Sequence, residues 1–208
     1  MKSLKQFSLM AAGVVTLLGA ALPANADAPN YVTVRHIAYA GSGCPAGSVA
    51  QNVAPDKTAF TLLFDNYIAE VGPGVSFAQR RKNCQLNVDL DFPQGWSYSL
   101  FTVDYRGYVS LQRGVKGLQQ SSYYFQGSAQ TASLRTPMVG PIDQNYQIRD
   151  TLGLSALVWS PCGAQRALNI NTEIRADNSA NPSGHGLMTT DSIDSQVKLI
   201  YGIRWKRC

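Results

Sequence analysis

Few residues in this chain have both the type and the spacing to do chemistry: two histidines, one carboxylate pair, four cysteines and some aromatic clusters. A Ser-His-Asp site would have to use His36 or His185. His36 sits in a strand-like run beside Ile37, where a packed or edge ring is the ordinary outcome. His185 lies between Gly184 and Gly186 in a polar stretch, whereas a general base must be held within hydrogen-bond reach of its proton. No G-x-S-x-G, H-E-x-x-H, phosphate-loop or dinucleotide pattern occurs. Asp89 and Asp91 share one strand face, about 6.5–7 Å apart by strand rise, a separation glycosidase carboxylates can use. Alternation alone also demands polar residues there. Asp177, Asp191 and Asp194 flank a long polar stretch, Ala176–Ser192, but their spacing matches no calcium loop. Neither a metal nor a cofactor is expected.

The aromatics carry more. The chain has ten tyrosines and three tryptophans. Tyr105-Arg106-Gly107-Tyr108 and Tyr123-Tyr124-Phe125 distribute rings over both faces of their strands, because neighbouring residues of a strand point oppositely. An outward ring beside Asn87, Asp89, Asn169 and Asn171 could stack on a sugar. Tyr105, Tyr108 and Tyr124 are the candidate binding residues. The run Trp159-Ser160-Pro161-Cys162 is expected to pack against a disulfide instead.

The elements that must position these residues are strands. Leu86, Val88 and Leu90 alternate with Asn87, Asp89 and Asp91 until Pro93 ends the run; Ile170 and Ile174 alternate with Asn169, Asn171 and Arg175. Leu199, Tyr201, Ile203 and Trp205 alternate with Lys198, Gly202 and Arg204 in the same way. Such one-sided patterns belong to antiparallel sheets with one face on a core. Further strands are expected over Tyr31–Ala38, Thr58–Phe64, Tyr98–Tyr105, Tyr108–Gln112, Ser121–Gln126 and Leu154–Trp159, separated by Gly- and Pro-rich turns. Ile68–Val71 reads as one helical turn. The expected fold is an all-β antiparallel two-sheet β-sandwich, jelly-roll or immunoglobulin-like, with little helix. Leu86, Val88, Leu90, Ile170, Leu199, Tyr201 and Ile203 form its expected core.

Lys2 and Lys5, an apolar run from Phe7 to Leu22 and Ala24-Asn25-Ala26 have the order of a secretory signal peptide over residues 1–26. Residues 27–208 are then expected to form a single sandwich domain. Secretion to the extracellular space, or to a periplasm, leaves no membrane-bound form after cleavage. Loss of Lys2 and Lys5 lowers the net charge from +5 to +3. With Arg80-Arg81-Lys82 as its one dense basic group, the chain lacks the stripe of a nucleic-acid binder. Cys44, Cys84, Cys162 and Cys208 read as two disulfides in an exported chain; no C-x-x-C spacing suggests zinc. Of three connectivities, Cys44–Cys84 with Cys162–Cys208 is expected. Each bond closes a loop of about 40 residues, worth on the order of 3–4 kcal/mol, and Cys208 would pin a terminus.

Gly41-Ser42-Gly43-Cys44-Pro45, Arg81-Lys82-Asn83-Cys84, Tyr105-Arg106-Gly107-Tyr108, Trp159-Ser160-Pro161-Cys162-Gly163, Asp191-Ser192 and Trp205-Lys206-Arg207-Cys208 stand in this order. Together they resemble a family of small exported proteins of bacteria and filamentous fungi, the domain of unknown function 4360, over roughly Thr33 to Cys208. The resemblance implies an extracellular β-rich fold with paired cysteines and transfers no catalytic residue. The first expectation is therefore a non-enzymatic module binding surface polysaccharide or a secreted or surface protein. The alternatives are a hydrolase working through carboxylates such as Asp89 and Asp91, and a secreted inhibitor or effector.

Overall fold

The computed structural model describes residues 29–53, 55, 59–151, 158–162, 165–190 and 197–208. The expected leader and residues 154–157 of one expected strand lie outside these, as do Asp191 and Asp194. The chain runs β1 (Thr33–Ala40), β2 (Val49–Val53), β3 (Ala59–Phe64), β4 (Ile68–Val71), β5 (Arg81–Asp91) and β6 (Trp96–Leu111). It continues through β7 (Lys116–Phe125), β8 (Ala132–Val139), β9 (Ile142–Thr151), β10 (Leu168–Asp177), β11 (Gly186–Thr189) and β12 (Val197–Arg207). Among the described residues the one helical element is a 3-10 turn at Phe77–Gln79.

Two antiparallel sheets form a β-sandwich. The five-stranded sheet has the order β1-β5-β10-β7-β8; the seven-stranded sheet has β2-β3-β12-β6-β11-β4, with β9 on the other edge of β6. The period of two places Leu86, Val88, Leu90, Ile170 and Ile203 in the core, as expected. Leu199 and Tyr201 belong to β12, but their side chains lie outside the described set. Each aliphatic side chain so buried stabilises the fold by about 1.5–3 kcal/mol. Rings fill much of the remaining space: Tyr98 meets Phe125 edge-on at 5.0 Å and Phe92 at 5.5 Å. Polar links also join the sheets. The Tyr67 hydroxyl lies 2.9 Å from Thr172 Oγ1, and the Tyr105 hydroxyl 2.8 Å from that of Tyr123.

Both expected disulfides are present, with Cα–Cα separations of 5.4 Å for Cys44–Cys84 and 5.7 Å for Cys162–Cys208. The first lies in the core and the second at the surface.

Two expectations are corrected. Ile68–Val71 is strand β4: Ala69 and Val71 are buried, Ile68 and Glu70 half-exposed, and a period of two is incompatible with a helical turn. The two strands expected over Tyr98–Tyr105 and Tyr108–Gln112 are one strand, β6, running straight through Arg106-Gly107. Gly107 sustains the pairing there, since a Cβ would lie 2.2 Å from the Thr189 carbonyl oxygen. The stretch Ala176–Ser192 is structured for most of its length. Asn178 Nδ2 donates to the Pro182 and Gly184 carbonyls, Asn181 Nδ2 donates to the Arg113 carbonyl, and β11 then joins the larger sheet.

Candidate functional site

Alternation that sends Leu86, Val88, Ile170, Tyr123 and Phe125 inward must send their neighbours outward. On the five-stranded sheet those neighbours are mostly uncharged amides and hydroxyls. Asn87, Asn169 and Tyr124 stand side by side across β5, β10 and β7. The next row holds Gln85, Asn171, Ser122 and Ser133 across β5, β10, β7 and β8. Adjacent strands lie about 4.8 Å apart and alternate residues about 6.8 Å along a strand, so the array is a near-planar grid. Asn87 Nδ2 donates to Asn169 Oδ1 at 3.0 Å, and the Ser122 and Ser133 hydroxyls lie 2.9 Å apart. Gln85, Asn171 and Gln120 have no side-chain hydrogen bond among the described residues, so their amides remain for an outside partner. The Tyr124 ring is half-exposed at the edge of this grid.

Ion pairs stand at two ends of the grid. Arg35 is the extra residue of a bulge in β1, between Val34 and His36, and a bulge re-aims a side chain. Its guanidinium donates to Asp91 Oδ1 at 2.8 Å and lies 3.5 Å from Asp89 Oδ2. Gln165 Nε2 also donates to Asp91 Oδ1, at 3.1 Å. At the other end Arg81 pairs with Glu173 at 2.6 Å. The carboxylate pair singled out from sequence is thus engaged by one guanidinium on a solvated face.

The three candidate tyrosines separate. Tyr105 is corrected: the ring is 2% exposed and its hydroxyl meets Tyr123 inside the sandwich. Tyr105 and Tyr108 are three residues apart, so a strand must send them to opposite faces. A bulge decides which goes out. Gly202 pairs with Thr102 but Ile203 with Leu100, so Phe101 is an extra residue in β6 and the inward parity passes from even to odd. Tyr108 is half-exposed on the outer face of the larger sheet, opposite in the sandwich to Tyr124. Its hydroxyl donates to Asp143, and this hydrogen bond raises the phenol pKa above its ordinary value, keeping Tyr108 a donor. Tyr124 stands beside Asn169 as the sequence suggested.

The histidines lie on different sheets. His36 is exposed on β1; His185 precedes β11, with its ring against Gly72 and its backbone N–H donating to Gln112 Oε1 at 2.9 Å. Asp177 accepts the Ser179 backbone N–H at 2.9 Å, which lowers its pKa. No group of three His, Cys, Asp or Glu side chains suited to a metal occurs among the described residues. Trp159 carries the Lys206 ammonium 4.3 Å from its ring centroid. Sequence reading missed Gln85, Gln120, Ser122 and Ser133. Starting the β7 strand at Ser121 cut off Gln120, although the alternation of Gln119, Ser121 and Tyr123 with Gln120, Ser122 and Tyr124 was there to extend it.

Fold and disulfides define the class: a secreted, disulfide-stapled antiparallel β-sandwich. Within that class the chain belongs to the family described as Domain of unknown function (DUF4360), which it matches over residues 30–208. A relative in Arthroderma benhamiae, described as an uncharacterized secreted protein, is 44% identical over 184 residues, covering 88% of this chain and 75% of the relative. Its secretion agrees with the export expected from the first residues. Among solved structures, the carbohydrate-binding module TmCBM61 in complex with beta-1,4-galactotriose is similar over 83% of this chain and 88% of that one. At 13% identity and a TM-score of 0.24 that likeness is too remote to bear on function.

Proposed function

We propose that the protein is a non-catalytic extracellular module that binds a neutral polysaccharide on the outer face of its five-stranded sheet. The observation that supports this reading is the register of Tyr124 with Asn169 and Asn87, beside the row of Gln85, Asn171 and Ser122. A pyranose ring offers an apolar C–H face and a rim of hydroxyls. Tyr124 supplies a flat partner for the first, and amides that both donate and accept suit the second. At the two ends of the grid Arg35 is already engaged by Asp89 and Asp91, and Arg81 by Glu173, which supports an uncharged chain there. Tyr108 faces the other way, so one rigid chain cannot stack on both rings; the amide neighbours select Tyr124.

The test is sedimentation of the purified protein with insoluble neutral polysaccharides, with released products assayed alongside. Tyr124→Ala and Asn171→Ala should each weaken retention roughly tenfold or less, the scale of one ring or one hydrogen bond. Asp89→Asn should leave it unchanged. Release of soluble sugar that disappears in Asp89→Asn would establish a hydrolase instead.

A further inference from the structure

A second recess opens on the larger sheet, remote from Tyr124 and independent of the polysaccharide reading. Glu70, Leu187 and Ser110 share one row across β4, β11 and β6. They point outward because Ala69, Val71, Met188, Val109 and Leu111 are buried on the other face. Two clefts adjoin along this row. The narrower, about 260 Å³, is lined by Glu70, Val75, Ser110, Gln112, His185 and Leu187. The wider, about 620 Å³, shares Glu70 and Val75 and continues past Ile68, Ser76 and Gln79 to Lys82. The larger volume lies within the range of small-ligand sites.

Glu70 differs from the other carboxylates. Where side-chain burial is described, every other buried or half-buried one, Asp89, Asp91, Asp104, Glu173 and Asp177, has an arginine partner within 4.0 Å. Glu70 is half-buried too, yet no ion pair or hydrogen bond of its side chain occurs among the described residues. Partial desolvation of a carboxylate without a cation is unfavourable. Its walls include aliphatic side chains, Val75 and Leu187 in the narrow cleft and Ile68 in the wide one, beside polar ones such as His185 and Gln79. A carboxylate between aliphatic walls fits a cationic head on an apolar stem. Ser110 and Gln112 add uncharged hydrogen-bonding groups beside it, while Lys82 at the far wall repels a cation from the wide end.

We propose that this recess binds an alkylammonium or guanidinium group, with the head on Glu70 and the stem along Val75 and Leu187. Such a head comes either from a free polyamine or from a lysine or arginine side chain of a basic peptide.

The test titrates the isotopically labelled protein with cadaverine, with an acetylated and amidated Gly-Lys-Gly peptide, and with 1-pentanol as an uncharged stem. Either cation should shift the backbone amides of Glu70, Leu187 and Ser110 saturably, and 1-pentanol should not. Saturation by the diamine alone identifies a polyamine site, and by the peptide alone a peptide site. Glu70→Gln should weaken binding roughly tenfold or more, as loss of a charge-assisted hydrogen bond implies. Lys82→Gln should tighten it, which keeps the test decisive if Glu70→Gln folds poorly. Tyr124→Ala should leave it unchanged, so failure of the polysaccharide reading does not affect this one. The proposal is overturned if neither cation saturates below about 10 mM, the weak end of specific affinity, if Glu70→Gln binds as well as the parent, or if Lys82→Gln fails to tighten binding.

Discussion

Removing the two disulfides one at a time separates chain entropy from burial. Cys44–Cys84 spans 40 residues and Cys162–Cys208 spans 46. Loop-closure entropy varies with the logarithm of length, so each bond stabilises the fold by about 4 kcal/mol through the unfolded state, with a difference of about 0.1 kcal/mol between them. Their surroundings differ more. Cys44 and Cys84 are 1% and 0% exposed, whereas Cys162 and Cys208 are at the surface. Replacing both cysteines of the core bond by alanine also removes two buried sulfur atoms, which adds about 1 kcal/mol for each. The Cys44→Ala/Cys84→Ala protein should therefore lose about 6 kcal/mol, and the Cys162→Ala/Cys208→Ala protein about 4 kcal/mol. For a domain of this size these are drops in Tm of about 12–24 °C and 8–16 °C respectively. Urea unfolding followed by tryptophan fluorescence gives the free energies, and calorimetry the Tm. Equal losses would show that core packing around Cys84 adds nothing beyond closure. A larger loss at the surface bond would refute the reasoning altogether.

Other outcomes follow from single side chains. Val88 is 0% exposed at mid-strand in β5; Val88→Asp should abolish folding by burying an unpaired charge, and a soluble, cooperatively melting product would show the strand face reversed. The Tyr98 hydroxyl is buried without a hydrogen-bond partner among the described residues, and burial strongly raises its pKa. Tyr98→Phe keeps the ring contacts and should raise stability by about 1 kcal/mol in urea unfolding; a loss of that size would reveal a partner for the hydroxyl. The backbone N–H of Ser179 lowers the Asp177 pKa, so the carboxylate stabilises the fold above its unfolded pKa, about 3.9, and that stabilisation is lost as pH falls through the folded value. Asp177→Asn should be less stable than the parent at pH 7 and approach it in acid; a gap that stays constant between pH 7 and pH 2 would contradict this.

The strands that build the amide grid were legible because one of their faces is buried and the other wet. Leu86 to Leu90 and Ile170 to Ile174 carry that contrast in every second residue. β9 was not legible, because an edge strand needs little apolar surface: Ile142, Tyr146 and Ile148 are its inward or half-buried positions, and most others are exposed. β8 was hidden for a related reason, since Pro137, which marks edges, reads locally as a turn. β4 has only four residues, too few for a period of two to be distinguished from a helical turn, and Glu70 was missed with it. Tyr105 was misplaced because parity along β6 depends on a bulge, and nothing in Phe101 as a residue type announces one. Disulfide pairing was accessible, since closing two short loops agreed with the sheet order.

The bulge at Phe101 means that β6 writes its two faces in a reading frame. Upstream, even positions such as Trp96, Tyr98 and Leu100 are interior; downstream, Tyr105, Val109 and Leu111 are. Deleting that single residue would flatten the strand and leave every downstream side chain on its present face, whereas one residue added to the regular stretch after the bulge would transpose them all. With that insertion Tyr105 would be delivered to solvent, while Arg106, Tyr108 and Ser110 would be driven into the core. The surface around Tyr108 is thus fixed by a count of residues as much as by their kinds, and one residue inserted beyond the bulge is a harsher lesion than a single surface substitution.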